Sequence, residues 1–321
     1  MLIASLTYYH GAAFSGEYRI RAPHSCIARN GVPYASFELG DMSGSLKSYM
    51  WLDKHQTPPG LSTNSRVSVC AQLRYLNGGW IAIVHAMENL DAKVSDPVAL
   101  LPVWICPSNG LLAQLHDVIN TIENEPFRGL LDNIFSDDAI ALPFLAAPGS
   151  TANHHGYAGG LLEHSVECAV IINHMPLFPI ETRDLGVVAA LLHDVGKIRT
   201  LSPTVKLSHE GFLLNHDALT LEILAPHLKC FDSVWPDAAI ALRYLLTWRS
   251  HRRKRHPLMT IAEAIASADR ISSSLNKENA AFSQLPLWRN ATEGLFDNGF
   301  WRPRPFLSNT PNEPSRHSLA S

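Results

Sequence analysis

The chain has 321 residues, 46% hydrophobic and 17% charged, with a formal net charge of −3. That balance excludes bulk disorder and excludes nucleic-acid attraction by a global positive field, so any such contact must come from a local basic patch. Five scattered cysteines with no CxxC pair exclude a zinc ribbon or a disulfide framework; without a basic leader or an apolar run near the ~20 residues of a membrane span, the chain reads as cytoplasmic, of about two domains and with no membrane partner.

The first ninety residues read as strands. In "RVSVCAQLRY" (66–75), Val67, Val69, Ala71, Leu73 and Tyr75 share one face, while Ser68, Cys70, Gln72 and Arg74 share the other. That period of two belongs to a half-buried strand. Asn77-Gly78-Gly79 closes it as a hairpin turn before "WIAIVHA", and Asn30-Gly31 does the same between "YRIRAPHSCIA" and "VPYASFELG". With "DMSGSLKSYMW" this predicts a small five-stranded β-barrel over 1–90. Arg19, Arg21, Lys47 and Arg74 accompany Tyr34, Phe37, Tyr49, Trp51 and Trp80 there. Barrels hold single strands with that mixture of cations and aromatics, though several of the aromatics must fill the core instead.

Residues 91–108 are proline-punctuated and aperiodic and read as a linker. The period then changes to 3.6: apolar residues at 111, 112, 115, 118, 119 and 122 form one stripe. Further helical patterns lie around 127–135, 160–174, 184–196, 214–228, 236–249 and 259–275, which makes 109–300 an all-helical domain. The Pro-, Ser- and Asn-rich tail, 301–321, reads as disordered. The fold class is therefore α+β multidomain, a small barrel followed by helices.

Ten of the sixteen histidines fall between residues 154 and 256. His164 lies on the inner face of its helix beside Leu161, Cys168 and Ile171. His193-Asp194 follows "VVAALL" at the buried end of another, and Asp269 sits in the Ala/Ile-rich "IAEAIASADRISSS". A carboxylate at such a position is costly unless paired or metal-bound. Two imidazoles and two carboxylates make the mixed N/O set that suits Mn²⁺, Fe²⁺, Zn²⁺ or a Mg²⁺-like ion. Such a centre lowers the pKa of water and clamps a phosphoryl oxygen, and Lys197, one turn past His193, is placed to meet phosphate. His154 and His155 precede Gly156 in a loop, where either would touch substrate phosphate or close the site. "WRSHRRKRHP" sets Arg249, Arg252, Arg253, Lys254 and Arg255 around His251, a track for a phosphate backbone.

"GGLLEHS…LLHDVGK…SADRI" resembles the HD phosphohydrolase superfamily. The resemblance implies metal ligands at His164, His193, Asp194 and Asp269. "NHHGYAGGLLEHSVECA" and "EGFLLNHDAL" are similar to the YhaM-type 3′→5′ exoribonucleases, which join an OB-fold barrel to an HD domain. Within that likeness His216 of "LLNH" and His251 of "WRSHRR" match ligand positions of a second metal, although Arg252 and Arg253 replace the family's histidine and glycine. The resemblance spans roughly residues 17–275. It implies a metal-dependent 3′→5′ exonuclease on single-stranded RNA or DNA, with His193, Asp194 and Lys197 carrying catalysis, two divalent ions (Mn²⁺ before Fe²⁺, Mg²⁺ or Zn²⁺), and His154, His155, Arg252 and Arg253 on the substrate. Two other readings stay open: a DNA-processing protein similar to the HD domain of TraI/MobH-type conjugative relaxases, and a non-catalytic single-strand binder with a degenerate HD domain. A homo-oligomer is compatible with each.

Overall fold

The computed structural model describes residues 1–6, 11–90, 94–106, 108, 110–151, 154–248, 259–292 and 299–303. A short helix, α1 (Ile3–Leu6), precedes five strands: β1 (Ala13–Ile27), β2 (Pro33–Asp41), β3 (Gly44–Trp51), β4 (Arg66–Leu76) and β5 (Gly79–Asn89). They close into a barrel in the order β1-β2-β3-β5-β4. Among the described strands only the β3–β5 pairing is parallel. Asn77 (φ 51°) and Gly78 (φ 83°) turn β4 into β5. Both are left-handed, as the two-residue turn that matches strand twist requires, and Asn-Gly is the pair that tolerates it.

The alternation in β4 holds over Val67, Val69, Ala71 and Leu73, all buried in the barrel core with Tyr18, Ile20, Phe37, Leu39, Met50 and Val84. It fails at Tyr75, which is 63% exposed because the strand runs past the barrel and pairs with Trp80 outside it, their rings 5.1 Å apart. Phe37 belongs to the core. Tyr34, Tyr49, Trp51 and Trp80 instead line an external groove of about 540 Å³ with Lys47. Arg19 corrects the expectation that it serves a nucleic-acid strand. It is 1% exposed, and its guanidinium donates to Asp138 Oδ1 and Oδ2 at 2.7 and 2.9 Å and to the carbonyls of Leu100 and Asn64.

Residues 94–106 run through turns and bends, with Val98, Leu101 and Cys106 buried in the helical core. The helices that follow are α2 (Leu111–Asn120), α3 (Glu125–Ser136), α4 (Asp138–Ala146), α5 (Gly160–Asn173), α6 (Ile180–Leu192), α7 (Lys197–Thr200), α8 (His209–Leu213), α9 (His216–Asp232), α10 (Pro236–Thr247) and α11 (Thr260–Phe282). Helix α6 is buried from Asp184 to Leu192 and is packed by α5, α10 and α11. A helix apolar around its whole circumference belongs at the centre of a bundle. α11 approaches so closely that a Cβ on Gly186 would lie 2.7 Å from the Ile261 side chain. No described helix is long and apolar enough to cross a membrane.

Candidate metal centre

Helix α5 places His164 one turn from its start, on the face it shares with Leu161 and Cys168, all fully buried. The C-terminal end of α6 delivers His193 and then Asp194, and α11 brings Asp269. The three helices converge on one point. His164 Nε2 is 3.2 Å from Asp269 Oδ1 and 3.5 Å from Asp194 Oδ2, and His193 Nε2 is 3.4 Å from the same Asp194 oxygen. Cys168 Sγ lies 3.9 Å from His164 Nε2, and ligand atoms of His164, Cys168 and His193 fall within 4.8 Å of one another.

Hydrogen bonds fix which atoms these imidazoles present. His193 Nδ1 is 2.8 Å from the Ala190 carbonyl, an acceptor, so Nδ1 carries the proton and Nε2 a lone pair. That Nε2 is buried and makes no hydrogen bond among the described residues. The Ser272 hydroxyl donates to Glu167 Oε2 at 2.6 Å, so its oxygen accepts from His164 Nδ1 at 2.9 Å and leaves His164 Nε2 without a proton, its lone pair available. Two lone pairs thus point at two carboxylates in a buried site. Four electron-rich atoms facing one another repel unless a cation lies among them, and an N₂O₂ set suits a divalent first-row metal. Burial and the neighbouring His193 push the His164 pKa down to about 3, which keeps the ring neutral and able to ligate. Burial alone would raise Asp194; contacts with His193, Lys197 and His216 outweigh it and hold the carboxyl well below the usual range.

A second group gathers on the other Asp194 oxygen. His216, the first residue of α9, sets Nε2 3.2 Å from Asp194 Oδ1 and 3.2 Å from Asp217 Oδ1. Lys197 at the start of α7 lies 2.6 Å from Asp194 Oδ2. It is engaged with that carboxylate rather than held out toward solvent. A cavity of about 20 Å³ beside His193, Asp194 and Asp217 is closed by Leu245, Leu246, Trp248 and Ile265. That volume admits one water-sized particle.

The loop histidines separate. His154 is partly exposed with its ring 5.9 Å from that of His164, and burial together with nearby His164 and Lys197 pushes its pKa down to about 4. His155 is fully buried behind the site. His251, Arg252 and Arg253, the neighbouring cations of "WRSHRRKRHP", and the tail from 304 lie outside the described residues. Sequence reasoning missed Asp217, although "NHD" repeats the His-Asp adjacency of 193–194. It also missed Glu167 and Ser272, whose signal is an offset of three from His164 and from Asp269.

The family model described as HD domain matches residues 161–274, the stretch that holds His164, His193, Asp194, His216 and Asp269. The helical half carries an HD domain. The HD domain and the barrel before it are together similar to curated relatives over most of their lengths. The 3′-5′ exoribonuclease YhaM of Halalkalibacterium halodurans is 24% identical over 87% of this chain and 89% of its own. Its counterpart in Oceanobacillus iheyensis is 26% identical over 91% and 95%, and that of Bacillus subtilis 24% over 83% and 86%. A solved chain of a replication protein A heterotrimer bound to single-stranded DNA covers 25% of this chain and 58% of its own, at 17% identity and a TM-score of 0.21, too slight a likeness to carry argument.

Proposed function

We propose that this chain is a divalent-cation-dependent 3′→5′ exoribonuclease acting on single-stranded RNA. The observation that carries the reading is the convergence of two imidazole lone pairs, on His164 and His193, upon Asp194 and Asp269 inside the HD domain. The exoribonuclease names of relatives that match both halves of the chain give it its substrate class.

His164, His193, Asp194 and Asp269 would hold one cation. His216 and Asp217, on the Asp194 Oδ1 side, would take part in holding a second, with His251 as a further candidate ligand. Cations in that position supply Lewis-acid polarisation of a phosphodiester and a water made acidic enough to attack it, and Mn²⁺ suits the N/O donor set. The residues do the rest. Asp194 spans both groups through its two oxygens, while Lys197 and His154 border the place where a phosphate would lie. The barrel supports a single strand: Tyr34 and Trp51 rings lie 5.6 Å apart, Tyr34 and Tyr49 6.0 Å apart, with the Lys47 ammonium 5.6 Å over Tyr49. Bases stack on such surfaces while cations track the backbone. None of the five cysteines is in a disulfide, which fits a reducing cytoplasm.

The test is 5′-labelled single-stranded RNA and DNA incubated with the purified chain and Mn²⁺. The expected result is a ladder shortening from the 3′ end of RNA, lowered at least about 100-fold by Asp194→Asn, which removes a charge from both groups. One internal cut, or binding without any cleavage, sinks the proposal.

A further inference from the structure

His155 has no part in the chemistry above, yet the fold is built around it. It is fully buried, with a backbone φ of 51°, in the left-handed region that few side chains occupy without cause. Two glycines make room for it. A Cβ on Gly160 would lie 2.1 Å from the His155 carbonyl oxygen, and one on Gly149 would lie 2.8 Å from the His155 Cβ. The His155 N–H donates to Asn276 Oδ1 at 2.9 Å, and its carbonyl accepts from the Gly149 N–H at 2.7 Å. The ring so held forms no hydrogen bond among the described residues, but its Nε2 lies 3.3 Å from Glu167 Oε2. A small rotation of the ring completes that bond.

Glu167 is where the line to the metal centre begins. It accepts the Ser272 hydroxyl, and Ser272 accepts from His164 Nδ1. Glu167 stands three residues beyond His164 on α5 and Ser272 three beyond Asp269 on α11, so the helices that carry the ligands also carry this chain of contacts. Its polarity runs one way because a carboxylate has no proton to give. Were the Glu167 position a donor, Ser272 would turn round, and His164 would carry its proton on Nε2, facing Asp194 and Asp269. A proton there bars a cation. Outer partners of this kind set the tautomer and aim of a ligating histidine.

We propose that His155, Glu167 and Ser272 form a positioning relay that fixes His164 in its Nδ1-protonated tautomer, with His155 orienting the Glu167 carboxylate at the far end. The inference rests on His164 serving as a ligand. Burial raises the Glu167 pKa, but the nearby His155 ring and the hydrogen bond from Ser272 outweigh it and keep the carboxylate ionised, as the relay requires.

Nitrogen-15 imidazole spectra of the metal-free full-length chain read the tautomer without any need for activity. In the unsubstituted protein His164 is expected to be protonated on Nδ1. In Glu167→Gln, whose amide can donate to Ser272 and reverse the chain, and in Ser272→Ala, an Nε2-protonated population is expected. Mn²⁺ binding by equilibrium dialysis should weaken roughly 10- to 100-fold in both. His155→Asn, a residue that tolerates positive φ, should shift the same signals to a smaller extent. Circular dichroism establishes that each variant is folded. His164→Ala separates the two levels. If it keeps Mn²⁺, the reading of the site falls and the relay with it. If it loses Mn²⁺ while Glu167→Gln and Ser272→Ala leave both the tautomer and the affinity unchanged, the relay alone is overturned.

Discussion

At the scale of single residues, Lys197 shows how a buried charge is tolerated. Asp194 is 3% exposed, and the Lys197 ammonium lies 2.6 Å from its Oδ2. Removing one partner of a buried pair strands the other. Lys197→Met is therefore expected to cost about 2–3 kcal/mol of stability when a chelator is present, less than for an isolated pair because His216 still touches the other oxygen. Saturating Mn²⁺, a cation at the same carboxylate, should close most of that gap. Denaturant titrations with EDTA and with Mn²⁺ measure it; an equal loss under both conditions means Lys197 does not share this oxygen with a metal. Three of the four converging residues, His193, Asp194 and Asp269, stood out in the sequence for the same reason. A His or Asp inside "VVAALLHDV" or "IASADRI" is expensive, and expense marks a candidate site. Glu167 and Ser272 carry no such mark, since each looks like an ordinary polar residue on a helix until α5 and α11 are set side by side.

Among the elements, close approach decides where His216 lies. A Cβ on Gly196 would fall 2.0 Å from the His216 carbonyl oxygen and 2.8 Å from the Thr220 nitrogen. Thr220 ties the contact together: its Oγ1 accepts from the Gly196 N–H at 2.8 Å and donates to the His193 carbonyl at 3.3 Å. The first turn of α9 therefore lies directly on the His-Asp segment. Gly196→Ala must push α9 away and carry His216 off Asp194, and a misplacement near 1 Å costs roughly 10²-fold in rate. Gly129→Ala, in the exposed middle of α3 with nothing within 4 Å of the added atom, is the matched control and should gain about 0.5–1 kcal/mol. RNA-trimming rates and melting curves of the two variants are the check, and identical behaviour would refute the argument. Element type was readable wherever a stripe or an alternation existed, as in α2 and β4. It was not readable in α4, whose "DAIALPFLA" is apolar with little sidedness and contains Pro143. Tertiary packing, not local pattern, decides such a segment.

Over the whole molecule, the largest misreading was Arg19, and its cause is separation in sequence. A cation on a strand suggests a surface contact; its partner Asp138 stands 119 residues away, at the start of α4. No local pattern reveals such a pair. Asp138 also accepts from Arg66 at 2.6 Å, so one carboxylate joins two barrel arginines to the helical domain. Burial works to raise the Asp138 pKa, but Arg19 and Arg66 outweigh it, and the folded value lies below the ordinary one. A depressed folded value contributes stability that is fully present above the unfolded carboxylate pKa, about 4, and is lost as pH falls through the folded value. Asp138→Asn leaves Arg19 buried without its counter-charge. Because Asp138 is itself 39% exposed and therefore screened, the expected loss is about 2 kcal/mol at pH 7, below the range for fully buried pairs. The difference in melting temperature between the two proteins should hold steady from pH 7 to pH 5 and shrink below about pH 4, as the native chain loses the same charge. A gap that stays constant down to pH 3 would mean that shape at the seam, and not the ion pair, joins the barrel to the helices.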